Sequence, residues 1–355
     1  MKNKIKKFLI FILAFAVFVI IMSNAITVGF DESEFLEDIK EVVETVPIPQ
    51  DEKVNIKLSF VGDMMLASYK NEYEVGNFRY HSENKPPEYF LSEVVHIFNE
   101  DDFTIGNLEN VLTDKNLSSV PKNHSPAYWY RAQTSNTDIL TSSSVECVSL
   151  ENNHCNDYGV QGFNDTVEAV KKANLYYGTE TEIMYLEKEG FKISVICCGL
   201  WGEWQADQVV KRIKEAEVNS DYQIIYFHGG TERLHKPEEW KVRACHKFVD
   251  NGADLVIGGH PHVLQPREVY NGIEIVYSLG NFCYGGNRYP ENRTIIYQAN
   301  LDINKTKGTI EFTSNIIPCY VYTGDRNYYQ PDTIEDKKEK EKVLNFMEGK
   351  EELPY

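Results

Sequence analysis

His260-Pro261-His262 follows a short apolar run, residues 255–257, and two glycines, Gly258 and Gly259. A β-branched run of this kind reads as a buried strand. Imidazoles two positions apart just beyond its end would aim ring nitrogens at one point, and imidazole is the commonest metal ligand at neutral pH. The bland alternative is a polar loop whose histidines happen to be close, since short motifs match by chance. The rest of the chain decides between them. Asp63, Glu109, Asn153 and His228 each stand where another apolar run closes, after residues 56–61, 103–105, 145–150 and 224–227. Each alone reads as a loop polar group. Together, separate strand ends carrying groups that bind metals form a constellation. Carboxylates and imidazoles in one set suit zinc, iron or manganese better than calcium. Water activated by such a metal can attack an acyl or phosphoryl centre at neutral pH.

The elements that must position these groups begin near residue 54. Further apolar runs at 193–198 and 274–278 close on Gly199 and on Leu279-Gly280-Asn281-Phe282, and later strands are expected at 294–301 and 309–317. Helical patterns at 164–173 and 238–251 fall between them. This alternation predicts an α/β fold, in which ligands bind beyond the carboxyl ends of the strands.

The chain has 355 residues, 42% of them hydrophobic and 12% aromatic, enough for a substantial core in one large domain or two smaller ones. A formal charge of −18 argues against nucleic-acid binding, which needs a basic face. It also opposes a polyanionic substrate unless a cation or local basic residues offset it. Seven cysteines include no Cys-x-x-Cys pair. Cys147, Cys197 and Cys198 lie in apolar runs, so the expectation is mostly buried, reduced thiols.

Lys2, Lys4, Lys6 and Lys7 form a basic tail, residues 1–7, ahead of an apolar segment at 8–28. That segment is long enough to span a bilayer, and the lysines would stay cytoplasmic, leaving the rest outside. The expected protein is therefore a single-pass cell-membrane protein with an extracellular domain. A cleaved signal peptide, with Ser23-Asn24-Ala25 as its processing site, is the competing reading. Residues 29–53 read as an acidic stalk or linker; within it, residues 31–46 carry seven carboxylates and one lysine at amphipathic helical spacing, stopped by Pro47 and Pro49. The domain proper is expected over 54–322. Residues 323–355 form a charged tail whose alternating acids and lysines read as a solvated helix without chemistry.

Taken in order, Val61-Gly62-Asp63-Met64-Met65, Gly106-Asn107-Leu108-Glu109, Tyr130-Arg131-Ala132, Glu151-Asn152-Asn153-His154 with Asp157, His228-Gly229-Gly230-Thr231-Glu232, the 258–265 turn and Tyr277-Ser278-Leu279-Gly280-Asn281-Phe282 form a specific set. It resembles the capsule-synthesis proteins of the CapA/PgsA type, which are linked to poly-γ-glutamate production and whose domain is similar to the calcineurin-like metallophosphoesterases. The resemblance covers residues 57–284 and implies an αββα sandwich holding one or two divalent ions, zinc, manganese or iron. It implies Asp63, Glu109, Asn153, His228, His260 and His262 as metal ligands, with Glu109 in the bridging place. It implies His154 as general acid, grouped with Asp157 as catalytic, and Arg131, Glu232 and Asn281 as substrate contacts.

Two departures from the metallophosphoesterase pattern matter. Met65 stands where a histidine is usual, which leaves Asp63, Glu109 and His262 for one metal position. Gly229 stands where an aromatic residue is usual, which would open the pocket beside His228. Arg131, Arg233 and Arg267 lie close to the motifs and offer guanidinium groups to an anionic substrate. Three functions follow: a metal-dependent hydrolase or transferase on poly-γ-glutamate or a similar anionic envelope polymer; a non-catalytic polymer-binding subunit of a capsule synthase or export complex; or a cell-envelope phosphoesterase, against which the lost histidine weighs. A Ser/His/Asp hydrolase lacks its Gly-x-Ser-x-Gly elbow.

Overall fold

The computed structural model describes residues 51–355; the basic tail, the apolar segment and nearly all of the acidic stalk lie outside the described residues. No helix among the described residues is long and apolar enough to cross a membrane. The strands in chain order are β1 (Lys53–Met64), β2 (Ser68–Tyr69), β3 (Phe103–Leu108), β4 (Val111–Leu112), β5 (Tyr130–Ala132), β6 (Cys147–Ser149), β7 (Tyr176–Gly178) and β8 (Met184–Lys188). They continue with β9 (Phe191–Gly199), β10 (Tyr222–His228), β11 (Leu255–Gly259), β12 (Leu264–Tyr270), β13 (Ile273–Leu279), β14 (Arg293–Asn304), β15 (Thr309–Tyr320) and β16 (Asp332–Thr333). One sheet runs β16-β15-β14-β1-β3-β6-β7, a second runs β12-β13-β11-β10-β9-β8, and β2-β5-β4 form a small third.

Alternation along each strand builds the layers. In β1, Ile56, Leu58 and Phe60 face a core shared with Ile193 and Val195 of β9, Ile224 and Tyr226 of β10 and Leu255 and Ile257 of β11. The two large sheets therefore pack face to face. Tyr226 also donates its hydroxyl to the Val61 carbonyl at 2.7 Å, tying one sheet to the other. The opposite face of the second sheet, with Ile196, Ile225, Phe227 and Val256, is covered by α1 (Ala206–Asn219) and α2 (Glu239–Asp250). Their buried residues, Ala206, Val209, Ile213 and Ala216 in one and Lys241, Ala244, Cys245 and Phe248 in the other, recur at helical spacing. The outer face of the first sheet is covered by a separate apolar cluster to which the helix Gly159–Lys172 contributes Ala169 and Val170. The result is a mixed α/β architecture with helices on both sides of paired sheets.

The expected strands and helices are present, most with longer bounds, although the strand expected at 145–150 is only Cys147–Ser149 and the helix expected at 238–251 is Glu239–Asp250. The charged tail differs from expectation: Lys337–Met347 is a helix capped by Asp336, whose side chain accepts from Lys338 and Glu339, both at 3.0 Å. Its Val343, Phe346 and Met347 are buried in the inter-sheet core, so it is a half-buried helix rather than a solvated one. All seven cysteines are free, six of them buried and Cys155 half-buried.

Candidate metal centre

The strands β1, β3 and β6 run parallel in one sheet, and β9, β10, β11 and β13 run parallel in the other. Their carboxyl ends meet at one rim. A register shift between Phe60 and Asp63 marks a bulge in the β1–β3 pairing, a device that re-aims a side chain. Asp63 then bonds through its backbone to Gly280 and Phe282, at 3.0 and 2.8 Å, joining the tip of β1 to the loop after β13. Gly62 is required there: a Cβ would stand 1.9 Å from the Gly280 carbonyl oxygen.

Six of the sequence-derived residues converge. Asp63 and Glu109 are wholly buried. The Asp63 carboxylate accepts from Asn107 Nδ2 at 2.8 Å and from the His260 amide at 3.0 Å, and lies 3.3 Å from His228 Nδ1 and 3.4 Å from His262 Nδ1. Glu109 Oε1 lies 3.6 Å from His228 Nε2 and 3.8 Å from His262 Nε2. Asn153 Oδ1 and His260 Nδ1 both approach His228 Nε2, at 2.9 and 3.1 Å. His262 Nδ1 is 2.8 Å from Asn281 Oδ1. His260 and His262 hold left-handed backbone angles, φ of 93° and 59°. Each such residue costs of order 1–3 kcal/mol, a strain typical of ligand clamps.

The residues fit a divalent cation. Both Glu109 carboxylate oxygens are buried without a hydrogen-bond partner. Burial and then the Asp63 charge push the Glu109 pKa well above the ordinary carboxylate range. Burial would also raise Asp63, but His228 and His262 hold it well below its usual value. Burial, reinforced by His228 and His262, drives His260 down to about 2, so it is neutral, the form that binds metals. Burial opposes protonation of His262, yet Glu109 and Asp63 raise it to about 9. The cluster thus has an unmet demand for positive charge centred on Glu109. Two groups could hold an ion, Asp63–Glu109–His228 and Glu109–His260–His262, with Glu109 common to both. His262 of the expected trio stands 3.4 Å from Asp63 and 3.8 Å from Glu109, and His228 reaches the same two carboxylates from the end of β10. Met65 is buried among apolar side chains and offers the cluster nothing.

Beside the cluster, His154 Nδ1 is 2.8 Å from Asp157 Oδ2, and Lys122 Nζ is 2.6 Å from Asp157 Oδ1. The Tyr130 amide donates to Asp157 at 2.7 Å, and its ring stands edge-on to His154 at 4.8 Å. Burial lowers the His154 pKa although Asp157 opposes the shift. A buried carboxylate thus orients His154 Nδ1, leaving Nε2 as the atom able to serve a substrate.

Arg131 lies elsewhere: its guanidinium bonds the Lys115 and Leu117 carbonyls at 3.0 and 3.4 Å and covers the Tyr158 ring. Arg267 pairs with Glu274 and Glu348, and Arg233 lies 3.7 Å from Glu291. Glu232 is exposed, and its charge acts on Glu109 and His228. Gly229 does not open a pocket. A Cβ there would lie 1.8 Å from the Leu200 carbonyl oxygen, so the space is already filled by backbone. The next residue, Trp201, supplies an aromatic ring instead, 4.9 Å from the His260 ring and 6.0 Å from the His228 ring. Trp201 follows β9 as the ligands follow their strands, a placement that could have flagged it. Tyr284, whose ring is tilted against His262 at 5.0 Å, and Lys122 carried no such signal.

Buried carboxylates and histidines brought to one rim of paired sheets define a mixed α/β protein with a candidate metal site. The family model for the bacterial capsule synthesis protein PGA_cap matches residues 57–285, and the chain belongs to that family. It is 29% identical over 281 residues to the PGA biosynthesis protein CapA of Bacillus subtilis, covering 73% of this chain and 70% of that protein. It is 28% identical over 283 residues to the capsule biosynthesis protein CapA of Bacillus anthracis, covering 71% and 66%. A probable polyglutamine synthesis accessory protein of Mycobacterium tuberculosis is 23% identical over 184 residues, 43% of this chain and 48% of that protein.

Proposed function

We propose that this chain is a metal-dependent hydrolase or transferase acting on the γ-glutamyl amide bonds of poly-γ-glutamate or a similar anionic envelope polymer, held at the cell membrane with its domain outside. The observation that carries the reading is the Glu109-centred cluster, whose two carboxylate oxygens lack hydrogen-bond partners, set beside the His154–Asp157 pair. The names of the Bacillus relatives support the polymer, and the 8–28 segment supports the location. Asp63, Glu109, His228, His260 and His262 would hold one or two divalent ions, zinc, manganese or iron, with Asn153 adding its amide oxygen. Such an ion supplies Lewis acidity at the scissile carbonyl.

The protein's own groups do the rest. Asp157 and Lys122 fix the His154 ring with its Nδ1–H toward Asp157, so Nε2 takes a proton from the attacking water and passes it to the departing amine. Trp201 and Tyr284 wall the cluster and limit water around it. The test is release of new amine ends from γ-glutamyl oligomers by chain loaded with manganese, zinc or iron. Cleavage lost in Glu109→Gln and in His154→Gln supports the reading. Tight polymer binding with no amine release by any metal-loaded form would show a polymer-binding subunit instead.

A further inference from the structure

Seven of the nine arginines are engaged by a carboxylate or a backbone carbonyl. The two that remain, Arg288 and Arg326, have no hydrogen bond or ion pair to their guanidinium groups among the described residues. Both are exposed, and both face one system of clefts. Three clefts meet at Gly286: one of about 320 Å³ reaching Tyr130 and Tyr284, one of about 630 Å³ carrying Arg326, and one of about 1060 Å³ carrying Arg288. The Tyr284 ring lies 5.0 Å from the His262 ring, so the clefts lead outward from the metal cluster.

A second feature marks the same path. His81 is 5% exposed, lines the middle cleft, and its Nδ1 is buried without a hydrogen-bond partner. The acids are unevenly placed: Glu72 and Glu74 line the cleft nearest the cluster, while Asp325 is the acid beside Arg288 and Arg326. In a chain of net charge −18, two uncommitted guanidiniums on one cleft wall form a local positive feature. Guanidinium binds carboxylate in a fork geometry that water-exposed lysine does not reproduce.

We propose that Arg288 and Arg326 form a distal subsite for carboxylates of an extended polyanionic chain, several residues away from the bond at the metal cluster. This rests on the functional reading above and adds to it a preference for long chains. Short γ-glutamyl substrates reach the metal cluster without touching either arginine.

The test measures binding of a length series of poly-γ-glutamate, from dimer to long polymer, to the full-length chain in detergent and to Arg288→Gln/Arg326→Gln. Both positions are exposed, and unchanged melting temperatures confirm that the variant is folded. The wild type should bind longer chains progressively tighter, with affinity falling as salt rises. The double variant should weaken long-polymer binding about tenfold and lose most of the length and salt dependence, while dimer binding stays unchanged. Retained length and salt dependence in the variant would overturn the subsite and leave the functional reading standing. A wild type with no affinity for the polymer at any length would overturn both.

Discussion

The core between the sheets and the rim above it are built from the same strands by opposite rules. In β1, Ile56, Leu58 and Phe60 are fully buried against apolar partners. Three residues beyond Phe60, Asp63 is equally buried but surrounded by imidazoles and amides. The core packs apolar side chains against one another. The rim leaves both Glu109 oxygens without a hydrogen-bond partner and holds two histidines at left-handed backbone angles. Burying an unpaired carboxylate destabilises the chain, so the rim is maintained by the core beneath it and by a ligand that answers the charge.

The sharpest way to break this contrast is at Glu109. Glu109→Gln should reduce polymer cleavage by at least about 1000-fold while raising the stability of the metal-free chain by about 1–3 kcal/mol, because the cost of burying an ionisable carboxyl without hydrogen-bond partners is removed. Rate assays and urea unfolding with chelator check the two halves. A core change should do the reverse. Phe346→Ala, in the helix Lys337–Met347, should cost about 3 kcal/mol in unfolding free energy and leave metal content unchanged.

His154→Gln tests the group beside the cluster. Activity should fall about 100-fold, with metal content retained by plasma mass spectrometry. The smallest expected effect lies at the opposite, amino end of the strands. Glu146 accepts from the Thr104 amide at 2.9 Å, and burial pushes its carboxyl up to about 7. The folded state then keeps a proton that the unfolded chain releases from about 4.5 upward, so stability falls as pH rises through that window. Glu146→Gln should flatten this decline, gaining about 1 kcal/mol at pH 8 relative to the native residue after allowance for its partial exposure. Urea midpoints at pH 5 and pH 8 measure it.

Much of this was legible in the chain because parallel strands buried on both faces are written as short β-branched runs. Asp63, Glu109, His228 and His260-Pro261-His262 each follow such a run, so the rim could be assembled from one rule about strand ends. The grouping of ligands could not, because Asp63 meets His228 only where two separate sheets close on each other. Trp201 follows its strand as the ligands do, but its contacts could not be read from the chain, because its partners His228 and His260 come from other strands. The buried face of Lys337–Met347 was masked by charge, since Val343, Phe346 and Met347 are spaced among lysines and glutamates that hold the solvent side. Arg131 shows the converse. Its sequence position beside a motif suggested the substrate, but its guanidinium closes a loop through two backbone carbonyls.

The central claim is that the Glu109 cluster holds a divalent cation. It is tested most directly by purifying the chain without chelator and measuring bound metal by plasma mass spectrometry, beside Glu109→Gln and the double variant His260→Ala/His262→Ala. The account predicts near-stoichiometric zinc, manganese or iron in the native chain and background levels in both variants. A native chain that stays metal-free after loading with each of these ions would contradict it.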